Sequence, residues 1–146
     1  MNLRQKVKQS KNNQYEVVNV DHLFSDLEDG ETYEARLYPL SVLENVLLHQ
    51  RVNSECEKAG IASPTAENIG AFYANSIPFR VLYNSILVAL TTRDDNGRLI
   101  FGENYSDAIE YVLSLPKEKG AAISEIAAAI IFKREKTSPA ALEKNS

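Results

Sequence analysis

The chain has 146 residues, enough for one domain core and too few for two. With 44% apolar and 25% charged residues it has a globular composition, which excludes a collagenous, wholly disordered or membrane-spanning polypeptide. Its formal charge of −4 and pI near 5.2 have the wrong sign for coating a nucleic-acid backbone.

The lone cysteine, Cys56, has no partner for an internal disulfide, and no apolar run is long enough to cross a bilayer. Arg4, Lys6 and Lys8 are not followed by an apolar stretch of the kind a secretory signal needs. The expected location is a reducing cytoplasm, with neither nucleic acid nor membrane as partner.

Residues 1–14 are polar and basic, with Leu3 and Val7 as the apolar exceptions, and read as a flexible arm. Tyr15 to Val20 is rich in β-formers. Thr32 to Leu40 alternates, with Tyr33, Ala35 and Leu37 on one face and Glu34, Arg36 and Tyr38 on the other. Glu28, Asp29 and Gly30 supply a turn between the two, so 15–40 is predicted to be a β-hairpin.

The remainder, 41–133, reads as about five helices. Ser41 followed by Glu44 forms a capping box, and Val42, Leu43, Val46 and Leu47 continue at helical spacing towards a stop at Gly60. Ser63-Pro64 predicts a second start, for a helix through Tyr73, with a break at Asn75 to Ile77. Phe79, Leu82, Tyr83, Ile86, Leu87 and Leu90 then form one unbroken apolar stripe, the mark of a central core helix.

Asp94, Asp95, Asn96 and Gly97 end that helix in a tight turn, and Arg98 to Phe101 reads as briefly extended. Asn104 or Ser106 caps a helix whose inward residues are Ala108, Ile109, Val112 and Leu113, closed by Pro116. The last helix starts at Lys117 or Ala121 and runs to Lys133. Its inward register holds Ile123, Ile126, Ala127, Ile130 and Ile131, yet 126–132 (Ile126, Ala127, Ala128, Ala129, Ile130, Ile131, Phe132) is apolar all round. Such a segment is either buried in the fold or meets a partner. The charged run Lys133 to Lys136 suits a helix C-terminus, and 137–146 reads as a flexible tail. The expected fold is α+β and mainly α-helical, a single domain over 15–136.

Groups for catalysis are sparse. His22 and His49 lie in different predicted elements, and neither has a metal or nucleophile spacing to Cys56, which reads as a small buried apolar group. The six glycines fall in no phosphate-loop frame, so no cofactor is expected. Thr92 to Glu103 approaches a twelve-residue calcium loop, with Asp94, Asn96, Gly97 and Glu103 in place. Thr92 stands where a ligating aspartate belongs and Ile100 at the ninth position offers nothing, so an Asp-Asn-Gly turn is the expectation and no metal site is assigned. A hydrolase or ligand-binding enzyme lacks a nucleophile–base pair here.

The order of elements from about Tyr33 to Lys133 resembles that of the tail assembly chaperones of long-tailed bacteriophages. The phrase Arg36-Leu37-Tyr38-Pro39-Leu40-Ser41, the run Leu87-Val88-Ala89-Leu90, the turn Asp95-Asn96-Gly97-Arg98-Leu99-Ile100-Phe101 and the helix start Asp107 to Leu113 carry the resemblance. It implies a non-enzymatic viral protein of the infected host's cytoplasm, absent from the mature virion. Such a protein binds and solubilises the tape measure protein and helps tail tube subunits assemble around it. Coating an extended partner needs many copies, so a homo-oligomer is compatible with it; the small alanines and the isoleucines of 126–132 suit self-association or a partner groove, and equally a plain core helix.

Many such proteins have a longer product made by a minus-one ribosomal frameshift. Glu143-Lys144-Asn145 is compatible with GAA AAA AAC, which contains the slippery run A AAA AAC. A frameshift there would make 137–146 a bridge to a further domain. The alternative is a structural tail-completion or head–tail connector component of the virion, equally acidic and non-catalytic.

Overall fold

The computed structural model describes residues 2–12, 15–24, 30 and 32–136; the side chains of 9–12 and 133–136 are outside that description. Among the described residues the chain forms six α-helices and one three-stranded antiparallel sheet, the mainly helical α+β fold expected.

The first helix, α1 (Leu3–Asn12), stands within the span 1–14 expected to be a flexible arm, of which 1, 13 and 14 are outside the described residues. Its cause is local. The Asn2 side chain accepts from the Gln5 amide at 2.9 Å while the Gln5 side chain accepts from the Asn2 amide at 3.0 Å, the reciprocal bonds of a capping box. Residues 2–8 are all exposed, so α1 is a helix that stands outside the core.

The hairpin forms as expected from β1 (Glu16–Asn19) and β2 (Glu34–Leu37), with Val18 opposite Ala35 and Glu16 opposite Leu37. Ala35 and Leu37 are buried, but Tyr33 at the start of the alternation is exposed. Gly30 has φ +87°, a value that favours glycine; Glu28 and Asp29 of the predicted turn lie outside the described residues. A 3-10 turn at Asp21–Leu23 follows β1 and buries Leu23.

Helix α2 (Val42–Ala59) has the Ser41–Glu44 capping box at its start and Gly60, at φ +69°, at its end. Its buried face is not the one that the apolar spacing marks out. Glu44, Leu48, Val52 and Cys56 are buried, Leu47 is half-buried, and Val42, Leu43 and Val46 lie in solvent. An apolar quartet in the first turns is thus mostly outside, because α2 meets the core along the row 44, 48, 52, 56, one helical turn per step.

The helix expected from Ser63 begins only at Ile69, as α3 (Ile69–Asn75). The Asn68 side chain accepts from the Thr65 amide at 2.7 Å and from its hydroxyl at 3.1 Å, side-chain bonds that hold 65–68 in a turn. α4 (Ile77–Thr91) starts at Ser76, whose hydroxyl accepts from Phe79 N, and carries Pro78 in its first turn.

The expected stripe on α4 is present, with Phe79, Ile86, Leu87 and Leu90 fully buried, but burial extends to every residue of 84–92. α4 packs against α2, α3, α5 and α6, which leaves its second half no solvent side. The polar groups caught there are bonded: Ser85, Thr91 and Thr92 donate to the carbonyls of Val81, Leu87 and Val88 at 2.7 Å each, and Asn84 accepts from Tyr73 Oη at 2.8 Å.

α4 runs straight into β3 (Thr92–Arg93), a strand absent from the sequence expectation, which pairs with Leu37 and Arg36 of β2. Of Arg98 to Phe101, expected to be extended, Leu99 bridges back to Arg93. α5 (Tyr105–Leu113) is capped by Asn104, not Ser106, and buries Ala108, Ile109 and Val112. After a 3-10 turn at Lys117–Lys119, α6 (Gly120–Lys136) passes the predicted end at Lys133. The proposed end-capping role of the 133–136 side chains lies outside the described residues, as does the tail at 137–146.

Gly102 is a close approach. A Cβ there would lie 2.5 Å from Ala108 N and 2.8 Å from the Asp107 carbonyl carbon, both backbone atoms of α5. Gly102→Ala is expected to cost about 2 kcal/mol by forcing the loop off the helix, read as a lowered urea midpoint at unchanged m.

Candidate functional site

The residues singled out for chemistry are placed apart. His22 is exposed on the 3-10 turn, where its carbonyl accepts from Lys119 Nζ at 3.1 Å. His49 is half-buried on α2, its ring edge-on to Tyr83 at 6.3 Å. Cys56 is two turns further along α2, about 10 Å from His49 along the axis. Its thiol is fully buried, and burial pushes its pKa up, away from the reactive thiolate.

The stretch that approaches a calcium loop is organised as a turn. Thr92 is buried in β3 with its hydroxyl donated to Val88. Asp94 Oδ1 accepts from the amides of Asn96 at 2.8 Å and Arg98 at 3.0 Å, and Gly97 has φ +77°. Asn96, within this turn, and Glu103, beyond it, are both exposed. Among the described residues no group of three or more His, Cys, Asp or Glu side chains is arranged to hold a metal ion.

The amide bonds, that from Arg98 foremost, hold the Asp94 carboxyl below its ordinary pKa of 3.8. A carboxyl depressed in the folded state stabilises above its unfolded pKa, and that contribution is lost as pH falls through the folded value. Asp94→Ala is therefore expected to lower Tm at pH 7, with the gap to the parent closing as pH is taken below 3.8. A gap that stays constant down to the lowest pH at which both fold would contradict this.

A buried polar cluster lies beneath this turn, and sequence reasoning did not find it. Glu44 is 6% exposed. Its Oε1 accepts from the Ser41 amide at 2.9 Å, which completes the cap of α2, while Oε2 accepts from Arg93 Nη2 at 2.7 Å and from Tyr105 Oη at 3.0 Å. Arg93 Nη1 donates to Gly97 O at 2.9 Å. One carboxylate therefore joins the starts of α2 and α5 to β3 and the 94–97 turn. The signal for its cap was in the Ser-x-x-Glu spacing; its other partners are 49 and 61 residues away.

Above the cluster opens a broad depression of about 920 Å³, lined by Arg98, Phe101, Asn104 and Tyr105 among others. Its inner cation, Arg93, is already committed to Glu44 and Gly97, so the cluster works as a clamp.

The segment 126–132 is divided by the fold. Ile126, Ala127 and Ile130 are in the core, where α6 packs on α4; Ala129 and Ile131 are half-buried; Ala128 and Phe132 are exposed. Its apolar character all round thus has a core side and an outer side, and only the outer one is accessible to a partner. The wider accessible apolar surface is on α2, with Val42 88%, Leu43 61% and Val46 46% exposed; α4 adds Ile77 and Val81.

No helix of the described residues is long and apolar enough to cross a membrane. Compared with known protein families, with curated proteins and with solved structures, the chain matches none.

Proposed function

We propose that this protein is a non-enzymatic tail assembly chaperone of a long-tailed phage. In this reading it binds the tape measure protein in the host cytoplasm, keeps it soluble and supports assembly of tail tube subunits around it. The resemblance in element order and in the phrases at 36–41, 87–101 and 107–113 motivates the reading. The observation that carries it is the exposed apolar start of α2. Val42, Leu43 and Val46 have helical spacing but are turned away from the core, and apolar surface of this kind suits an amphipathic helical partner. The outer side of 126–132 is a second contact of the same type.

The test is co-expression with a tape measure protein, the long helical partner this reading requires. The expected result is that the partner is soluble with the parent chain and precipitates with Val42→Glu/Leu43→Glu. Because both positions are exposed, that variant should keep its stability to within about 0.5 kcal/mol per substitution. A partner that is insoluble with both would sink the reading. So would recovery of the protein in stoichiometric amounts from purified virions by mass spectrometry, the result a tail-completion or connector component gives.

A further inference from the structure

We propose that α1 is an exchange arm that docks in the cleft between β1 and α6 of a second copy of this chain. The inference goes beyond the tail-assembly reading and does not depend on it.

The first observation is that α1 is a formed helix whose apolar stripe is left exposed by the described residues. Leu3 and Val7 are four residues apart, hence on one face, and are 78% and 54% exposed. At about 100° per residue, Arg4 falls on one flank of that stripe and Lys6 on the other. Four of the sixteen basic residues and none of the twenty acidic ones lie in 2–12, a formal +4. The other residues hold twelve basic against twenty acidic, a formal −8. An isolated ten-residue helix is marginal in water even when capped, and gains its stability by covering its apolar face.

The second observation is a cleft of complementary make-up. Val18, Val20 and Leu23 form one wall and Ala122, Ile126 and Ala129 the other, around a volume of about 190 Å³. An apolar cavity of about 150 Å³ is large enough to take benzene, so this one accommodates the branched end of an aliphatic side chain. The small residues Ala122 and Ala129 let another helix approach α6 closely.

Carboxylates flank the cleft. Glu125 lies on its α6 wall, and Glu16 is on the same face of β1 as Val18, one alternation earlier. Both are exposed, and neither forms an ion pair among the described residues. The other charged groups nearby are already engaged: Asp21 accepts from Tyr33 N and from Asn19, and Lys119 donates to His22 O. Leu3 and Val7 entering the cleft would place Lys6 and Arg4 beside these two carboxylates. The same arm and cleft on each protomer give a reciprocal, two-fold exchange.

Disulfide trapping in the full chain tests this. Val7→Cys and Ala129→Cys are made in separate chains, mixed and mildly oxidised; Cys56 is buried and does not compete. A cross-linked dimer that needs both chains, and that disappears when Leu3→Glu is added to the first, is the expected result. Light scattering of the parent should give a mass above the 16.3 kDa monomer, falling to it in Leu3→Glu/Val7→Glu, which keeps a cooperative melt whose midpoint no longer rises with protein concentration. A monomeric parent would overturn the proposal. So would a cross-link no stronger in the mixture than in either chain alone, or an exclusively intrachain disulfide when both cysteines are on one chain.

Discussion

Phe79→Ala is expected to lower stability by about 4 kcal/mol, which for a domain of this size is a fall in Tm of about 12 °C. Phe79 is fully buried at the start of α4, with the ring of Phe72 edge-on at 6.0 Å and that of Tyr83 tilted against it at the same distance. Truncation removes the transfer energy of the ring and opens a cavity between α3 and α4 that the packed helices only partly close. It also removes two aromatic pairs, each contributing about 0.5–1.5 kcal/mol beyond area. Two residues along the same helix, Val81 is 55% exposed, and Val81→Ala should change stability by less than about 0.5 kcal/mol. Urea titrations of the pair check this. Equal effects would mean that α4 is not packed as described.

Glu44→Ala is the second large effect, about 3 kcal/mol. The substitution leaves Arg93, a fifth exposed, without its carboxylate, leaves Tyr105 without an acceptor, and opens half of the α2 capping box. Arg93→Met should cost less, about 2 kcal/mol, because Ser41 N and Tyr105 Oη still donate to the carboxylate left behind. The decisive quantity is the double variant. Groups that share one carboxylate do not act independently, so Glu44→Ala/Arg93→Met is expected to cost at least about 1 kcal/mol less than the sum of the singles. Strict additivity would show that the two side chains do not meet.

Much of the fold was legible because its signals are local. The Ser41–Glu44 box, the left-handed Gly60, the Asp94–Gly97 turn and the Asn104 cap each satisfy backbone groups within a few residues of the signal, and each is where the spacing put it. The helix at α1 rests on a signal of the same kind, the Asn2-x-x-Gln5 capping box, which an expectation based on polar composition alone passes over. The misplaced start at Ser63-Pro64 has the opposite cause. A good local signal lost to the bonds that Asn68 makes with Thr65.

The outward turn of Val42, Leu43 and Val46 could not be read from periodicity. Their spacing defines a face but not which face meets the core, and Glu44, whose charge argued for solvent, is buried because Arg93 and Tyr105 come to it from afar. The two-residue strand β3 is similar. Thr92 and Arg93 carry no strand pattern of their own length and become one only by lying beside Leu37 and Arg36.

By itself, then, the sequence determined α2, α4, α5 and α6, the caps at Ser41 and Gly60, the hairpin and the central place of α4, set largely by periodicity and by bonds spanning three or four residues. Tertiary structure alone decided the Glu44–Arg93–Tyr105 clamp, the division of 126–132 into a core side and an outer side, and the cleft between β1 and α6. Each of these depends on groups separated by tens of residues, whose meeting is governed by how apolar faces pack and which buried polar groups must find a partner.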